Sequence, residues 1–389
     1  AYLMKTILYG IVFLSTIYSQ SADFLHFNSY VADTHNDVLL RVLRGEDITE
    51  WTTRGHSDIP RLLAGGMDAQ VFAVWVNPSE FLPDRAFSQA NKMIDALERV
   101  VAAIPEKMGI ADCYADLIQL EQEGKLAAVI GVEGGHAIEN SLEKLEQLKS
   151  RGMCYLGVTW NNSNEWATSA KDEVESDSLE LKGLTDFGRE VIRRCNKIGV
   201  IVDVSHAGEQ TFWDILEVTT KPIIASHSSV YDLCPHFRNL KDDQLRAIKK
   251  NGGVVFINFF PGYLDSTFEQ RAAEVRKQHS AELDSLKKHY GEESDDYWYA
   301  SMDLLGADIG AVAPSVDVLV DHIDYIAKFI GPEYVGLGSD FDGVSVLPKR
   351  VEDCTKLPVI TEKLMERGYS EEDIRKILGG NFKRVFKEV

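Results

Sequence analysis

Val200-Ile-Val-Asp-Val-Ser-His206 is a short apolar, β-branched run that ends in polar residues, and a helical stretch follows it. Ile223–His227 repeats the pattern a short distance later, again with histidine as its last residue. Alternation of this kind is typical of parallel strands joined by helical crossovers. These two runs therefore predict repeated βα units in this part of the chain.

The same unit occurs along most of the sequence. The predicted strands are Tyr30–Asp37, Met67–Val76, Ala127–Glu133, Tyr155–Trp160, Val200–His206, Ile223–His227, Val254–Phe260 and Val335–Asp340. Apolar residues at helical spacing predict helices at Ala86–Ala103, Leu142–Lys149, Phe187–Ile198, Gln210–Val218, Asp242–Lys250 and Val316–Ile330. Eight strands with helices between them predict an α/β fold, a (β/α)8 TIM-like barrel.

One interval is longer than a crossover needs. Residues 261–315 separate the seventh strand from the helix before the eighth, and Phe268–Tyr290 within them is predicted to be helical. We interpret this interval as an insertion between strands 7 and 8, either a lid or a dimer contact. Because no repeat and no Pro/Gly/Ser-rich linker occurs, residues 23–389 are predicted to form a single domain.

The composition excludes some partners. The chain has 389 residues and a formal net charge of −20, and 44% of its residues are hydrophobic, enough for a sizeable core. Such a negative charge repels phosphate backbones and anionic membrane surfaces, so no nucleic-acid partner is expected. The acidic excess is otherwise explained by a solvated surface.

Residues 1–22 have the pattern of a secretory signal peptide. Lys5 precedes an apolar run, Ile7–Ile17, and small and polar residues follow up to Ala22. The run is shorter than the roughly 20 residues that a membrane-spanning helix needs, so no stable membrane anchor is expected. The pattern predicts a secreted or periplasmic protein; the alternative is a buried strand or helix at the N-terminus.

Several predicted strands end in residues that bind metals. In barrels of this kind, functional side chains project from the carboxyl ends of the strands. Five strand ends supply His35, Asp37, Glu133, His206, His227 and Asp340. Each alone is compatible with a structural role, but imidazole and carboxylate together are the ligands that zinc prefers. Since one catalytic zinc needs only three protein ligands, the set predicts two Zn²⁺ ions bridged by a carboxylate.

Two zinc ions predict hydrolytic chemistry. Ions that share one water lower its pKa towards 7 and supply hydroxide, which attacks a carbonyl polarised by the metal. Asp340 would move the proton to the leaving amine, first as base and then as acid. Neither a G-x-S-x-G motif nor a cysteine at the rim is present, so a serine or cysteine nucleophile is not expected.

Nine stretches together resemble the membrane (renal) dipeptidase family of binuclear zinc peptidases, within the amidohydrolase-type barrels. They follow the family's order over residues 30–385. They are Asp33-Thr-His-Asn-Asp37, Gly131-Val-Glu-Gly-Gly-His136, Gly183-Leu-Thr-Asp-Phe-Gly188, Asp203-Val-Ser-His206, Ser226-His-Ser-Ser229, Arg238-Asn239, Gly252-Gly-Val254, Gly336-Leu-Gly-Ser-Asp-Phe-Asp-Gly343 and Gly379-Gly-Asn-Phe382.

The resemblance implies a role for each matching position and a small dipeptide as substrate. It also implies a homodimer. The implied roles are one zinc on His35 and Asp37, a second zinc on His206 and His227, a bridge at Glu133, acid/base catalysis by Asp340, and binding of the substrate's carboxylate by Arg238. A guanidinium is well shaped to bind a carboxylate with two hydrogen bonds.

One position departs from the family's pattern. Animal members have a histidine at the end of the fourth strand, where it contacts the substrate carbonyl, and Trp160 takes that position here. Its indole N–H donates one hydrogen bond but carries no titratable charge. Trp160 is therefore predicted to bind substrate, and stabilisation of the developing oxyanion would rest more on zinc.

Two alternatives stay open. Another amidohydrolase, acting on a lactam or lactone or as a deaminase, commonly has an H-x-H pair on its first strand, whereas this chain has His35-x-Asp37. A catalytically impaired binding protein would be consistent with Trp160, but all six predicted ligand and acid positions are filled.

Overall fold

The computed structural model describes residues 21–176, 178–180, 182–292 and 294–389. The predicted signal segment lies outside the described residues apart from its last two positions, so that segment stays a prediction. Within the described ranges, no helix is both long enough and apolar enough to cross a membrane.

Nine parallel strands form a single sheet, and eight of them close into a barrel. They are β1 (Ala32–Asp33), β2 (Ala69–Trp75), β3 (Met108–Ile110), β4 (Leu126–Glu133), β5 (Met153–Gly157), β6 (Ile201–Asp203), β7 (Ile224–Ala225), β8 (Val254–Ile257) and β9 (Val335–Leu337). The barrel runs in chain order and closes where β1 pairs with β9, while β2 pairs directly with β4. The short β3 pairs only with the start of β4 and was not predicted. The predicted (β/α)8 barrel is confirmed.

The strands are buried on both faces, which is why they are continuous apolar runs in the sequence. All eight residues of β4 are buried, between the barrel interior and the surrounding helices. Several strands end earlier than predicted, because their last predicted residues turn away from the sheet. His206 and Asp340 adopt left-handed backbone conformations, with φ of 66° and 63°, so neither continues its strand.

All six predicted helices are present, with ends that differ by one residue or less. They are Ala86–Ala103, Leu142–Ser150, Asp186–Ile198, Glu209–Val218, Asp242–Asn251 and Val316–Phe329. Further α-helices within the described ranges are Leu39–Leu43, Ile59–Ala64, Pro78–Phe81, Tyr114–Glu123, Ala170–Glu175, Pro261–Leu264, Pro358–Glu366, Glu371–Arg375 and Asn381–Glu388. Single turns of 3-10 or π helix lie at Gly135–Ile138, Pro332–Tyr334, Cys354–Lys356 and Lys376–Gly380.

The predicted helical segment Phe268–Tyr290 of the insertion is present as two helices, Phe268–Gln278 and Ser280–Tyr290, which meet at His279. A further helix, Asp295–Val312, follows them and was not predicted. A small apolar core joins residues of the insertion to Val346 in the loop after β9; its insertion members are Phe268, Ala272, Val275, Leu305, Ile309 and Ala313.

Candidate metal centre

The residues predicted to bind metal meet at one point on the barrel rim. The Glu133 carboxylate lies at the centre: its Oε1 is 2.9 Å from His206 Nε2 and 3.3 Å from His227 Nε2, and its Oε2 is 3.4 Å from His35 Nε2. His35 Nε2 is also 3.3 Å from Asp37 Oδ2. All of these side chains are buried. The structure therefore brings together every predicted ligand, from four different strand ends.

The orientation of the His227 ring is fixed by hydrogen bonds on its Nδ1 side, away from Glu133. Its Nδ1 lies 2.7 Å from Ser226 Oγ, and the Ser226 hydroxyl lies 2.6 Å from Asp203 Oδ2. Because a buried carboxylate accepts, the Ser226 hydroxyl donates to Asp203 and its oxygen accepts from His227 Nδ1–H. The Nε2 of His227 therefore carries a lone pair, which points at Glu133.

The other two histidines are held in the same tautomer. His35 Nδ1 lies 2.8 Å from the Tyr155 hydroxyl, which itself donates to the Thr34 carbonyl at 3.2 Å. His206 Nδ1 lies 3.0 Å from Asn161 Oδ1, which is an acceptor. Each Nδ1 is thus the donor and each Nε2 faces the carboxylate cluster, the orientation typical of metal-binding imidazoles.

This donor set fits bound cations. The Nε2 atoms of His206 and His227 are only 3.0 Å apart, and both face the same oxygen of Glu133. Two lone pairs and a carboxylate oxygen repel one another unless positive charge lies between them. Imidazole nitrogens and carboxylate oxygens match the preference of zinc, so the fit is chemical as well as electrostatic.

Protonation equilibria indicate the same preference. Burial, with the Arg238 charge, lowers the pKa of His206 to about 4, so this imidazole stays neutral and free to bind a metal. Burial disfavours charge on His35 as well, but Tyr155, Glu133 and Asp37 outweigh it and raise its pKa well above the ordinary value. The centre therefore favours positive charge at the position that His35 faces.

Asp340 lies beside His35 and Asp37 in this cluster. One carboxylate oxygen of Asp340 is within 4.8 Å of ligand atoms of both His35 and Asp37. Its Oδ2 accepts a hydrogen bond of 2.8 Å from Asn258 Nδ2, and the Asn258 oxygen accepts from the Phe260 amide, which fixes the orientation of the carboxamide. Burial raises the pKa of Asp340, which favours uptake of a proton by this carboxylate.

Gly343, in the loop after β9, allows the carboxylates of Asp37 and Asp340 to lie close together at one corner of the cluster. A Cβ on Gly343 would overlap both Asp37 Oδ2 and Asp340 Oδ1. Only a residue without a side chain therefore allows the two carboxylates to share the corner with His35. The glycine at the end of the quoted motif has a steric role in the metal centre.

Arg238 lies close to the histidines, in the loop after β7. It is 3% exposed and donates to Ser228 Oγ at 3.2 Å and to the His227 carbonyl at 3.1 Å. Its Nε is buried and has no hydrogen-bond partner among the described residues. Arg238 and His206 line a cavity of about 570 Å³, large enough for a small ligand. Arg238 thus places a positive charge on the wall of this cavity.

The remaining predicted residue, Trp160, lies at the edge of the cluster. The centroid of its ring is 6.3 Å from that of His206. His136, close to Glu133 in sequence, does not reach the cluster with its Nε2, which bonds to the Val76 carbonyl at 2.9 Å. His236 lies in the cavity with Arg238 and accepts a hydrogen bond from the Arg238 amide.

Sequence reasoning missed the residues that support the histidines. Tyr155, Asn161, Ser226 and Asn258 each fix a ligand or the acid, yet none is a metal ligand by type. Ser226 had a visible signal, since it directly precedes His227 at the end of a strand. Tyr155 had no such signal, because an aromatic residue within a buried strand is expected to pack in the hydrophobic core.

Comparison with known proteins agrees with this geometry. The model of the family described as membrane dipeptidase (peptidase family M19) matches residues 19–389. Dipeptidase 3 of Mus musculus is 31% identical over 365 residues, covering 92% of this chain and 64% of that relative, so the chain spans less than two thirds of the relative's length.

Solved structures show the same fold. The probable dipeptidase PvdM from Pseudomonas aeruginosa superposes with a TM-score of 0.80 at 26% identity, over 96% of this chain and 98% of that one. A metallopeptidase from Rhodobacter sphaeroides, liganded with a phosphinate mimic of L-Ala-D-Ala, superposes with a TM-score of 0.74 at 25% identity, over 92% and 99%. From the family match along nearly its whole length, this chain belongs to the membrane dipeptidase family, peptidase family M19.

Proposed function

We propose that this protein hydrolyses the peptide bond of dipeptides, with two zinc ions held by His35, Asp37, Glu133, His206 and His227. One observation carries the proposal: three imidazoles, each held through Nδ1, direct Nε2 at a single buried carboxylate. The family match and the dipeptide mimic bound by the Rhodobacter sphaeroides relative support a peptide substrate. Two zinc ions at this centre would supply hydroxide at neutral pH and polarise the scissile carbonyl.

The chain's own residues bind and orient the substrate. Arg238 would bind the C-terminal carboxylate, because its guanidinium charge lies on the wall of the cavity beside His206. A charge-assisted hydrogen bond to a carboxylate compensates the cost of burying the guanidinium. Binding at this point would restrict substrates to peptides whose carboxylate lies one residue from the scissile bond.

Asp340 would move the proton. Asn258 occupies Oδ2, so Oδ1 is the oxygen that faces Asp37 and the reacting groups. A carboxylate held by one hydrogen bond keeps its geometry while it accepts a proton and delivers it to the leaving amine. Glu133 would bridge the ions and hold the centre together.

The test combines metal analysis with a substrate panel. Purified protein should contain close to two zinc ions per chain and hydrolyse some members of a panel of L-L and L-D dipeptides. A chelator should abolish turnover and zinc should restore it, whereas Asp340→Asn should bind zinc but turn over at least about 100-fold more slowly. Two zinc ions per chain without hydrolysis of any dipeptide would contradict the proposal and favour a lactam, lactone or deaminase substrate, or a binding protein.

We infer two further properties that rest on the family resemblance and on the N-terminal sequence. A homodimer is expected, and light scattering of the purified protein measures its mass directly. Export with removal of the signal segment is expected as well, and mass spectrometry of protein collected outside the cytoplasm would show whether the chain begins near residue 23.

A further inference from the structure

Two tryptophan side chains lie beside the metal centre, and the proposed mechanism uses them only in part. Trp75 is the last residue of β2, and Trp160 follows β5 by three residues. Their ring centroids are 5.0 Å apart with planes at 59°, and the Trp160 ring is 6.3 Å from the His206 ring. The two indoles therefore form one aromatic surface at the edge of the cluster.

Strand register shows which way Trp75 faces. In the parallel pairing of β2 with β4, Trp75 lies opposite Glu133. Residues in register on neighbouring strands project from the same face of a sheet. Trp75 thus leaves the rim on the face that carries the central carboxylate. Its Nε1 is buried and has no hydrogen-bond partner in the part of the chain that the structure describes.

The position around the barrel is equally informative. The closed order of strands is β1, β2, β4, β5, β6, β7, β8 and β9, so β2 lies diametrically opposite β7. Arg238 lies in the loop that follows β7, and the metal centre lies between these two sides. A dipeptide with its carboxylate at Arg238 and its peptide bond at the centre would extend its N-terminal residue towards Trp75 and Trp160.

We propose that Trp75 and Trp160 form the wall of a subsite that selects dipeptides with a large apolar or aromatic N-terminal side chain. This proposal rests on the proposed function. Indole faces bury much apolar area and contact other aromatic rings favourably at tilted angles. A charged N-terminal side chain would lose its hydration against them without gaining a partner.

The experiment compares matched substrates with the same C-terminal residue: L-Phe-L-Ala, L-Leu-L-Ala, Gly-L-Ala and L-Asp-L-Ala. The zinc-loaded protein should prefer L-Phe-L-Ala to Gly-L-Ala and to L-Asp-L-Ala by at least about 10-fold in kcat/KM, as apolar pockets discriminate by roughly 10–200-fold per group. Trp75→Ala and Trp160→Ala should each reduce that ratio several-fold. Trp51→Ala, at an indole that is 60% exposed, is the control and should leave the ratio unchanged.

Equal loss of turnover for all four substrates in Trp75→Ala and Trp160→Ala would overturn the subsite, because a merely structural role lowers every rate alike. A native ratio near one would overturn it too. Trp75→Phe keeps an aromatic ring in the wall of the subsite and should therefore keep the preference for L-Phe-L-Ala.

A binding measurement keeps the subsite distinguishable from the proposed function. Tryptophan fluorescence of zinc-loaded Asp340→Asn is titrated with L-Phe-L-Ala and with Gly-L-Ala. Tighter binding of L-Phe-L-Ala that is lost in Trp160→Ala supports the subsite even if no dipeptide is hydrolysed. Hydrolysis with equal binding of the two dipeptides overturns the subsite and leaves the proposed function intact.

Discussion

At the scale of single residues, the metal centre depends on side chains that never touch the metal. Three imidazoles direct Nε2 at Glu133 because Tyr155, Asn161 and Ser226 each accept a hydrogen bond from Nδ1–H. Such partners fix both tautomer and ring orientation, and the loss of one typically weakens metal binding. The histidines could be predicted from the sequence, but their supports could not, because hydroxyl and amide groups occur everywhere in strands and turns.

Ser226→Ala tests this support. The variant removes the acceptor of His227 Nδ1–H and leaves the Asp203 carboxylate with one donor fewer. We expect zinc affinity to fall about 10- to 100-fold. Competition with a chromophoric chelator measures it, with the exposed Ser88→Ala as control. Unchanged affinity would show that the rear hydrogen bond of His227 has no part in metal binding.

Gly343→Ala tests the closed corner. A methyl group there would overlap Asp37 Oδ2 and Asp340 Oδ1, so the two carboxylates must separate. Turnover should fall by roughly 100-fold, since displacement of reacting groups by about 1 Å has that effect. Gly306→Ala is the matched control, because a Cβ at Gly306 has no neighbour within 4 Å. Full activity of Gly343→Ala would contradict the geometry of this corner.

At the scale of elements, the regular units were predictable and the insertion was not. Each strand and each crossover helix buries apolar residues at regular spacing along its sequence. This periodicity identifies the element, as it does for the helix Val316–Phe329. Asp295–Val312 buries only Leu305 and Ile309, and its apolar residues show no clear stripe. Its packing partners lie in the preceding helices, and those contacts are invisible in a local window of sequence.

Leu305→Ala should loosen the insertion without unfolding the barrel. Leu305 is 6% exposed within the insertion core, and truncation of a buried leucine costs about 2–5 kcal/mol. Hydrogen exchange should accelerate across residues 295–312 and stay slow in β4. Arg54→Ala is the contrast: it breaks only an exposed pair with Asp303, worth about 1 kcal/mol or less. Loss of protection in β4 in the Leu305 variant would show that insertion and barrel unfold together.

His322 connects helix Val316–Phe329 to two loops and makes stability depend on pH. Its Nδ1 accepts from the Val230 amide and its Nε2 donates to the Leu264 carbonyl, both at 3.0 Å, and burial lowers its pKa to about 4. Between about pH 6.5 and 4, His322 is protonated in the unfolded chain but remains neutral in the folded chain. The contribution of His322 to the free energy of unfolding should therefore fall by about 3 kcal/mol as pH drops through this window.

Urea unfolding of the chelator-treated protein at several pH values measures this effect without interference from metal loss. His322→Gln should remove the contribution of His322 to the slope between pH 6.5 and 4, because the amide keeps an acceptor and a donor but does not titrate. The exposed His289→Gln should leave the slope as it is. A slope identical in native protein and His322→Gln would place the acid sensitivity elsewhere.

At the scale of the whole molecule, metal binding and stability should be linked. In the absence of cations, Asp37, Glu133 and Asp340 lie buried near one another, and like charges there oppose folding. Zinc at 100 times its dissociation constant would add about 2.7 kcal/mol of stability for each site. Calorimetry should therefore show a lower Tm after chelation and recovery with zinc. Equal Tm values with and without chelator would mean that folding does not depend on the metal centre.

The arrangement of the barrel also has a consequence for the order in which the protein is assembled. Asp33 on β1 accepts two hydrogen bonds from Ser339, a partner 306 positions later in the chain. Until the segment around Ser339 docks, a nascent polypeptide offers only scattered histidines and acids, which bind an ion weakly. Metal should hence be acquired only after residue 339 has been synthesised and has docked on β1, wherever the folded protein first encounters the ion.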